Sequence, residues 1–262
     1  KEPIEYTDFY NWDKVCNLLA DQEPFWEPGK AVGYHAITIG YLVGELVKRV
    51  SGKTIGKFFE DEIAGPLKSD FHIGLKEKDF SRVAEIFMPG AITSGDLFEN
   101  EDSESDVQKA QLNPSIDPLY ALEDDWRKSE IPAAGGHGNG KSLAECMALV
   151  ANNGEFNNRK ILSKENLDNI FLEQILGIDL VFNKLTRWGI GFALPVKNNS
   201  WMGYFNNEQT CYWTGWGGSL SIADRKNNSS LGYSPIKMEE DVFGEERTNS
   251  IVKAYVESLE NI

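Results

Sequence analysis

Apolar residues recur at Trp12, Val15, Cys16 and Leu19 in "NWDKVCNLLADQ", a spacing that lines one face of an α-helix. In "HAITIGYLVGELVKRVSG", Ile39, Leu42, Val43, Leu46, Val47 and Val50 repeat at helical intervals, and Ser51-Gly52 then signals a C-terminus. Thr54 is placed to cap a short helix carrying Ile55, Phe58, Phe59 and Ile63, expected to end before Gly65-Pro66. "SLAECMALVANNG" reads as a helix opened by a capping box from Ser142 to Glu145 and closed at Asn153-Gly154. Ser163 caps another in "SKENLDNIFLEQ". From about residue 179 the pattern changes. "DLVFN", "RWGIGFAL", "TCYWTG", "SLSIAD" and "SSLGYSPI" are short, rich in aromatic or β-branched residues, and separated by turns such as "RKNN", which predicts strands. Their connections are too short for crossover helices, so the strands are expected to be antiparallel. "EERTNSIVKAYVESL" closes the chain as an amphipathic helix with Ile251, Ala254, Tyr255 and Leu259 on one face. Helices first, an antiparallel sheet second and a covering helix last make an α+β pattern.

The chain divides on this reading into a mainly helical region, 1–178, and the strands and final helix, 179–262, which complete the same domain. Within the first region, residues 95–130, including "FENEDSESDVQKAQ", are acidic and weakly periodic and read as a solvated insertion or mobile lid. Their spacing does not match a calcium loop. The 262 residues are 41% hydrophobic, enough for one sizeable core. A formal net charge of −15 argues against nucleic-acid binding and against docking on anionic lipid, which both call for clustered Lys and Arg. No apolar run approaches a membrane span, and "KEPIEYTDFY" does not read as a signal peptide. A soluble protein is expected, with the cytoplasm the favoured compartment. Cys16, Cys146 and Cys211 are odd in number and widely spaced, giving neither a disulfide framework nor a metal pair. Cys16 and Cys146 fall on apolar helix faces, where buried, inert thiols are expected. His35, His72 and His137 show no metal-ligand spacing, so neither a metal nor an organic cofactor is expected.

"GGHGNGKS", residues 135–142, fits the phosphate-loop pattern G-x-x-x-x-G-K-[ST]. Such a loop follows a buried parallel strand, because backbone N–H groups must converge on the anion at a helix start. The preceding "WRKSEIPAA" is charged and contains Pro132, which a central strand does not tolerate. A glycine turn entering a capped helix is the expected reading.

Several stretches taken together point elsewhere. "WEPGKAVGYHAITIGYLVGELVKRVSGKTIGKFFEDEIAGPL" resembles the serine β-lactamase-like superfamily in its class C and esterase branch. "AAGGHGNGKSLAECMALVANNG" is similar to the family's Gly-Gly turn and following helix, and "YWTGWGGSLSIAD" looks like its third motif, a K/H-T-G strand followed by Gly-Gly. The resemblance runs from about residue 7 to the C-terminus, with the motifs in family order. It implies an antiparallel sheet flanked by helices with a helical subdomain, a β-lactamase/transpeptidase-like fold whose N-terminal part lies outside this chain.

The family works by a serine attacking a carbonyl. A serine hydroxyl is a poor nucleophile until a nearby base takes its proton, and the oxyanion that develops needs fixed donors. The resemblance assigns proton transfer to Tyr34 and an oxyanion N–H to Trp216. Trp213, Thr214, Gly215 and Gly217, with Gly218, form the strand and turn the substrate approaches. His137 and Asn139 lie in a turn that borders the pocket on this reading. Two features depart from the family. Trp213 stands where Lys or His is usual, which favours uncharged esters or amides over β-lactams. The Ser-x-x-Lys motif is absent upstream of Tyr34, and a literal match, "SPIK", Ser234 to Lys237, follows the third motif and contains Pro235. The expected function is a carboxylesterase or amidase working through an acyl-enzyme on a small-molecule substrate. Its Ser-x-x-Lys would come from sequence outside this chain, on a removed or separate N-terminal segment. A catalytically inactive ligand- or partner-binding protein is the alternative.

Overall fold

The computed structural model describes residues 1–88, 93–94, 105–197, 205, 207–239 and 246–260. The chain forms two compact units. The first comprises Lys1–Asp61, His72–His137 and Leu180–Phe182, and the second Glu62–Phe71, Gly138–Asp179 and Asn183–Ile262.

In the first unit, α1 (Trp12–Asp21) starts at Asn11, whose side chain accepts the Lys14 N–H. α2 (Thr38–Ser51) ends at Gly52, whose φ of 73° is the left-handed conformation a glycine supplies at least cost. Its inner side is built from small residues and one tyrosine. A Cβ on Gly40 would come within 2.8 Å of the Ala133 nitrogen, and one on Gly44 within 2.5 Å of the Trp12 ring. Between them Tyr41 is fully buried and donates its hydroxyl to the Phe9 carbonyl at 2.7 Å. Phe9, Val15, Tyr41, Trp126 and Ile131 form the core. The larger aliphatics of α2, from Ile39 to Val50, face away from it and are exposed.

Thr54 caps α3 (Ile55–Phe59) as expected, accepting from the Lys57 N–H. Glu130 fastens this helix start, accepting from the Thr54 hydroxyl at 2.7 Å and the Gly56 N–H at 2.9 Å. The helix does not stop before Gly65-Pro66. A π-helical turn, Glu60–Ala64, leads into α4 (Gly65–Leu67), where Pro66 is tolerated because first-turn N–H groups have no helical partner. β1 (His72–Ile73) pairs antiparallel with β2 (Gly136–His137), His72 opposite His137. Residues 95–104 of the acidic stretch lie outside the described residues. Residues 105–130 carry α5 (Asp106–Gln111), capped by Ser105, and α6 (Asp124–Lys128), with Gln111, Pro118 and Trp126 buried.

The second unit is an antiparallel sheet with helices on both faces. α4 belongs to this unit, and α7 (Gly140–Ala151) follows, then the hairpin β3 (Glu155–Phe156) and β4 (Arg159–Lys160), then α8 (Lys164–Ile170) capped by Ser163. β5 (Ile175–Asp179) pairs with β6 (Lys184–Trp188), and β7 (Thr210–Gly215), β8 (Ser219–Asp224) and β9 (Ser229–Tyr233) follow in that order. Ala193 bridges Trp188 to Tyr212 and joins the two groups of strands. α9 (Glu246–Glu260) closes the unit. Alternation along the paired strands decides the layers. Cys211 and Ala223 pack with Met147, Val150 and Ala151 of α7 and Leu167 of α8. Their neighbours Tyr212 and Ile222 point the other way and pack with Val252 of α9.

Three expectations change here. "DLVFN" is not a strand: β5 starts at Ile175, and residues 180–182 connect it to β6, with Asn183 at φ 51°. "RWGIGFAL" is broken by a turn in which the Gly189 N–H donates to the Phe192 carbonyl at 2.9 Å. The cap of α7 is Asn139, not Ser142. The Ser142 N–H donates to Asn139 Oδ1 at 3.0 Å while the Asn139 N–H donates to Ser142 Oγ at 2.9 Å, a capping box one turn upstream of the expected one. Gly140 opens the helix because α7 lies directly on β9. A Cβ on Gly140 would sit 2.9 Å from the Gly232 carbonyl oxygen, and one on Gly232 would sit 2.5 Å from the Ala144 nitrogen. β2 before this turn is two residues long and antiparallel, so the parallel strand of a phosphate loop is not present among the described residues.

Candidate active site

The assigned site residues divide between the two units, Tyr34 and His137 in the first, Asn139 and residues 213–217 in the second. Tyr34 lies in the extended segment that feeds α2. Its ring packs on Phe182 with centroids 4.7 Å apart. The Leu180 N–H donates to the Val32 carbonyl at 2.9 Å, tying the two strips of backbone together. The segment is held from below by Trp26. Its indole N–H donates to the Ala31 carbonyl at 3.2 Å, and a Cβ on Gly33 would lie 2.5 Å from its ring. Glycine at position 33 therefore lets the backbone just before Tyr34 approach the indole closely. His35 turns to the helix start, its Nδ1 2.9 Å from the Thr38 hydroxyl.

His137 is half-buried on β2, and burial holds its pKa below the ordinary 6.5. Its Nδ1 lies 2.9 Å from the Gly135 carbonyl oxygen. A carbonyl only accepts, so this contact places the proton on Nδ1 and leaves Nε2 of the neutral ring as an acceptor. Asn139 is engaged in the capping box, a structural task.

In the second unit, β7 delivers Trp213, Thr214 and Gly215 into a turn made by Trp216, Gly217 and Gly218. Gly217 and Gly218 have φ of 91° and 93°, values that side-chain-bearing residues rarely adopt. The Gly218 N–H closes the turn on the Gly215 carbonyl at 3.0 Å. The outside of the turn is propped by residues that no local pattern marks. Thr248 Oγ1 lies 2.9 Å from the Gly218 carbonyl, to which it donates, and 3.1 Å from Glu239 Oε2. Arg247 donates to the Lys237 carbonyl at 2.8 Å and reaches the Gly217 carbonyl at 3.4 Å, while its Nε pairs with Glu239 Oε1 at 3.4 Å. The Glu239 N–H donates to the Gly217 carbonyl at 3.1 Å, and the Met238 side chain fills the space a Cβ on Gly217 would need. The Gly217 and Gly218 carbonyls are thus both engaged, which fixes the peptide groups they belong to. Trp213 is half-buried, its ring against Trp188 with centroids 4.6 Å apart.

Ser234 to Lys237 lies beyond the end of β9 and is not helical, so it lacks the one-face geometry of Ser-x-x-Lys on a helix. A second literal match, Ser250 to Lys253, is helical, but both residues are exposed on α9, and the Ser250 hydroxyl donates to the Arg247 carbonyl at 2.7 Å. Cys16 and Cys146 are half-buried rather than fully buried, and Cys211 is buried. Burial pushes the first two thiols up to about 11 and Cys211 up to about 12, so all three are protonated at neutral pH and poor nucleophiles. Among the described residues, no group of three or more His, Cys, Asp or Glu side chains could hold a metal ion. None of the described helices is long and apolar enough to cross a membrane.

An antiparallel sheet between helices, with an x-Thr-Gly strand running into a glycine turn, defines the β-lactamase/transpeptidase-like class. The family model described as Beta-lactamase matches residues 3–254, and the chain belongs to that family. A crystal structure of a family VIII carboxylesterase superimposes with a TM-score of 0.85 and 32% identity, covering 98% of this chain and 66% of that one. A penicillin-binding protein homolog from Caulobacter crescentus gives a TM-score of 0.83 and 28% identity, covering 98% of this chain and 67% of that one. "Esterase/beta-lactamase LipL" of Mycobacterium tuberculosis is 32% identical over 148 residues, 53% of this chain and 34% of the relative. The chain thus spans about a third of the curated relative and about two thirds of the solved structures.

Proposed function

We propose that this chain is part of a β-lactamase-like serine hydrolase, a carboxylesterase or amidase that works through an acyl-enzyme. The observation that carries the reading is the glycine turn after β7, held from outside by Glu239, Arg247 and Thr248. An oxyanion hole needs donors fixed before the reaction begins, and this bracing supports that role for the Trp216 N–H. A serine from a Ser-x-x-Lys segment outside residues 1–262 attacks the substrate carbonyl. Its proton passes to the lysine and Tyr34, the oxyanion settles on the Trp216 N–H, and the alcohol or amine leaves. Water then attacks the acyl-enzyme and releases the acid. Trp213, in place of a cation, favours an uncharged substrate. The names of the carboxylesterase and of the esterase/β-lactamase relative support ester chemistry.

The alternative reading is a catalytically inactive ligand-binding or partner-binding member of the family. Fluorophosphonate treatment followed by denaturing mass spectrometry separates the two. The hydrolase reading expects an adduct on a polypeptide that carries Ser-x-x-Lys, with Tyr34→Phe lowering ester turnover by about 100-fold or more. Unchanged turnover in Tyr34→Phe removes Tyr34 from the mechanism. A protein purified from its source that takes up no adduct and turns over no ester moves the assignment to the binding protein.

A further inference from the structure

The turn between β5 and β6 is built from residues that turns seldom use. Tight connections favour Gly, Pro, Asn, Asp and Ser, yet "DLVFN" carries Leu180, Val181 and Phe182 between its two polar ends. Those ends close it. The Asn183 N–H donates to the Asp179 carbonyl at 2.8 Å, and Asn183 takes the left-handed conformation at φ 51°. The three apolar residues group with the first unit, the one that holds Tyr34. Their contacts there keep step with the Tyr34 segment. Leu180 donates its N–H to the Val32 carbonyl at 2.9 Å. Two residues further along each strip, the Phe182 ring lies against the Tyr34 ring, with centroids 4.7 Å and planes 32° apart.

We infer that Phe182 is a positioning residue for the Tyr34 phenol, a role that rests on the reading of Tyr34 as the proton-transfer group. Supports on the backbone do not by themselves aim a tyrosine. Trp26 and Leu180 fix the main chain just before Tyr34, while the side chain still turns about its own bonds. A proton passes only between heavy atoms held about 2.6–3.2 Å apart, and misplacing a group by about 1 Å costs on the order of 100-fold in rate. A second ring packed against the first removes that freedom, and aromatic pairs at this separation favour a defined geometry. The Leu180 hydrogen bond sets where along the strip Phe182 lands. This accounts for the apolar residues in the turn: they serve the Tyr34 segment, and the two polar ends do the turning.

The test is a double-mutant cycle between positions 34 and 182 in the complete enzyme, this chain together with its Ser-x-x-Lys segment. Fluorophosphonate titration counts the active sites, so turnover is expressed per competent site and a loss of folded protein does not register. Phe182→Ala is expected to lower kcat for an ester by about 10-fold or more, with KM held within about twofold because substrate binding is untouched. Phe182→Tyr keeps the ring and restores most of kcat. Tyr34→Phe combined with Phe182→Ala is no slower than Tyr34→Phe alone, since a residue that acts through the phenol then has nothing left to position. Losses that multiply in the double variant overturn the inference, as does parental kcat in Phe182→Ala beside a slowed Tyr34→Phe. Fluorine NMR of the same protein, with fluorotyrosine incorporated at position 34, reads the ring contact without any chemistry. Phe182→Ala should shift that signal, and an unchanged signal overturns the contact's role whatever the turnover. The functional reading fails separately: a shifted signal with full turnover in Tyr34→Phe leaves the ring clamp standing and removes Tyr34 from catalysis.

Discussion

α2 and α7 carry comparable amounts of aliphatic side chain and meet opposite fates. α7 lies on the sheet, and Met147, Val150 and Ala151 are buried against Cys211, Ala223 and Leu167. α2 turns glycines and one tyrosine inward and leaves its aliphatic stripe in water. Hydrophobicity along a helix therefore does not by itself say which face the polypeptide buries. Which side packs is decided by close approach. Gly140 against Gly232 brings α7 down onto β9, and Gly40 and Gly44 bring α2 down onto its unit with the stripe outward.

The contrast is broken most directly by truncating one residue on each helix. Met147→Ala is expected to lower unfolding free energy by about 3 kcal/mol, because it opens a cavity in a packed core. Leu46→Ala changes it by no more than about 0.5 kcal/mol, since the side chain is already exposed. Urea denaturation monitored by circular dichroism measures both, and equal losses would dispose of the comparison. The bracing of the glycine turn gives the next effect. Arg247→Met removes charge-assisted hydrogen bonds to the Lys237 and Gly217 carbonyls, and should speed exchange of the Gly218 amide about tenfold, roughly 1.4 kcal/mol. Exchange unchanged at Gly218 would mean that the turn holds itself without Arg247. Asn139→Ala should cost about 1 kcal/mol through the lost capping box, whereas Ser142→Ala, if Ser142 were the true cap, would be the costlier of the two.

The smallest effect concerns pH. His137 titrates below its ordinary 6.5 because burial disfavours the imidazolium. The unfolded chain takes up the proton first, so stability is unaffected well above 6.5 and falls as pH drops below it. Comparing urea midpoints at pH 7.5 and 5.5, His137→Gln should lose less stability on acidification than the parent chain. An identical loss in both would show that His137 is not a source of the pH dependence.

Much of this was legible in the amino-acid pattern. α1, α2, the Thr54 and Ser163 caps, β7 to β9 and the closing helix follow from periodicity and capping chemistry. The family rests on three motifs in order. Where the reading slipped, the cause is physical. β5 was hidden because Leu176 and Ile178 are apolar yet exposed, so no apolar-polar alternation announces the strand, and Gly177 interrupts it. "DLVFN" looked like a strand because Leu, Val and Phe are strand residues, although the chain uses them to turn. The start of α7 was displaced because Gly140 is a poor helix former, kept there by the backbone of β9. The props Glu239, Arg247 and Thr248 had no local signal at all, since their relation to Gly217 and Gly218 exists only after folding.

The glycine turn before α7 bears on how motifs are read. In "GGHGNGKS", a Cβ on Gly135 would lie 3.0 Å from the Ile131 carbonyl oxygen, one on Gly140 would press on Gly232, and Ser142 completes a cap with Asn139. Lys141 is left on the surface beside Glu145. Three unrelated demands of packing and capping have spelled out a nucleotide signature, with a solvated lysine supplying its penultimate letter. Letters alone are convergent here, and the carbonyl oxygens crowding the two glycines, an unwelcoming lining for any phosphate, are what tell the two meanings apart.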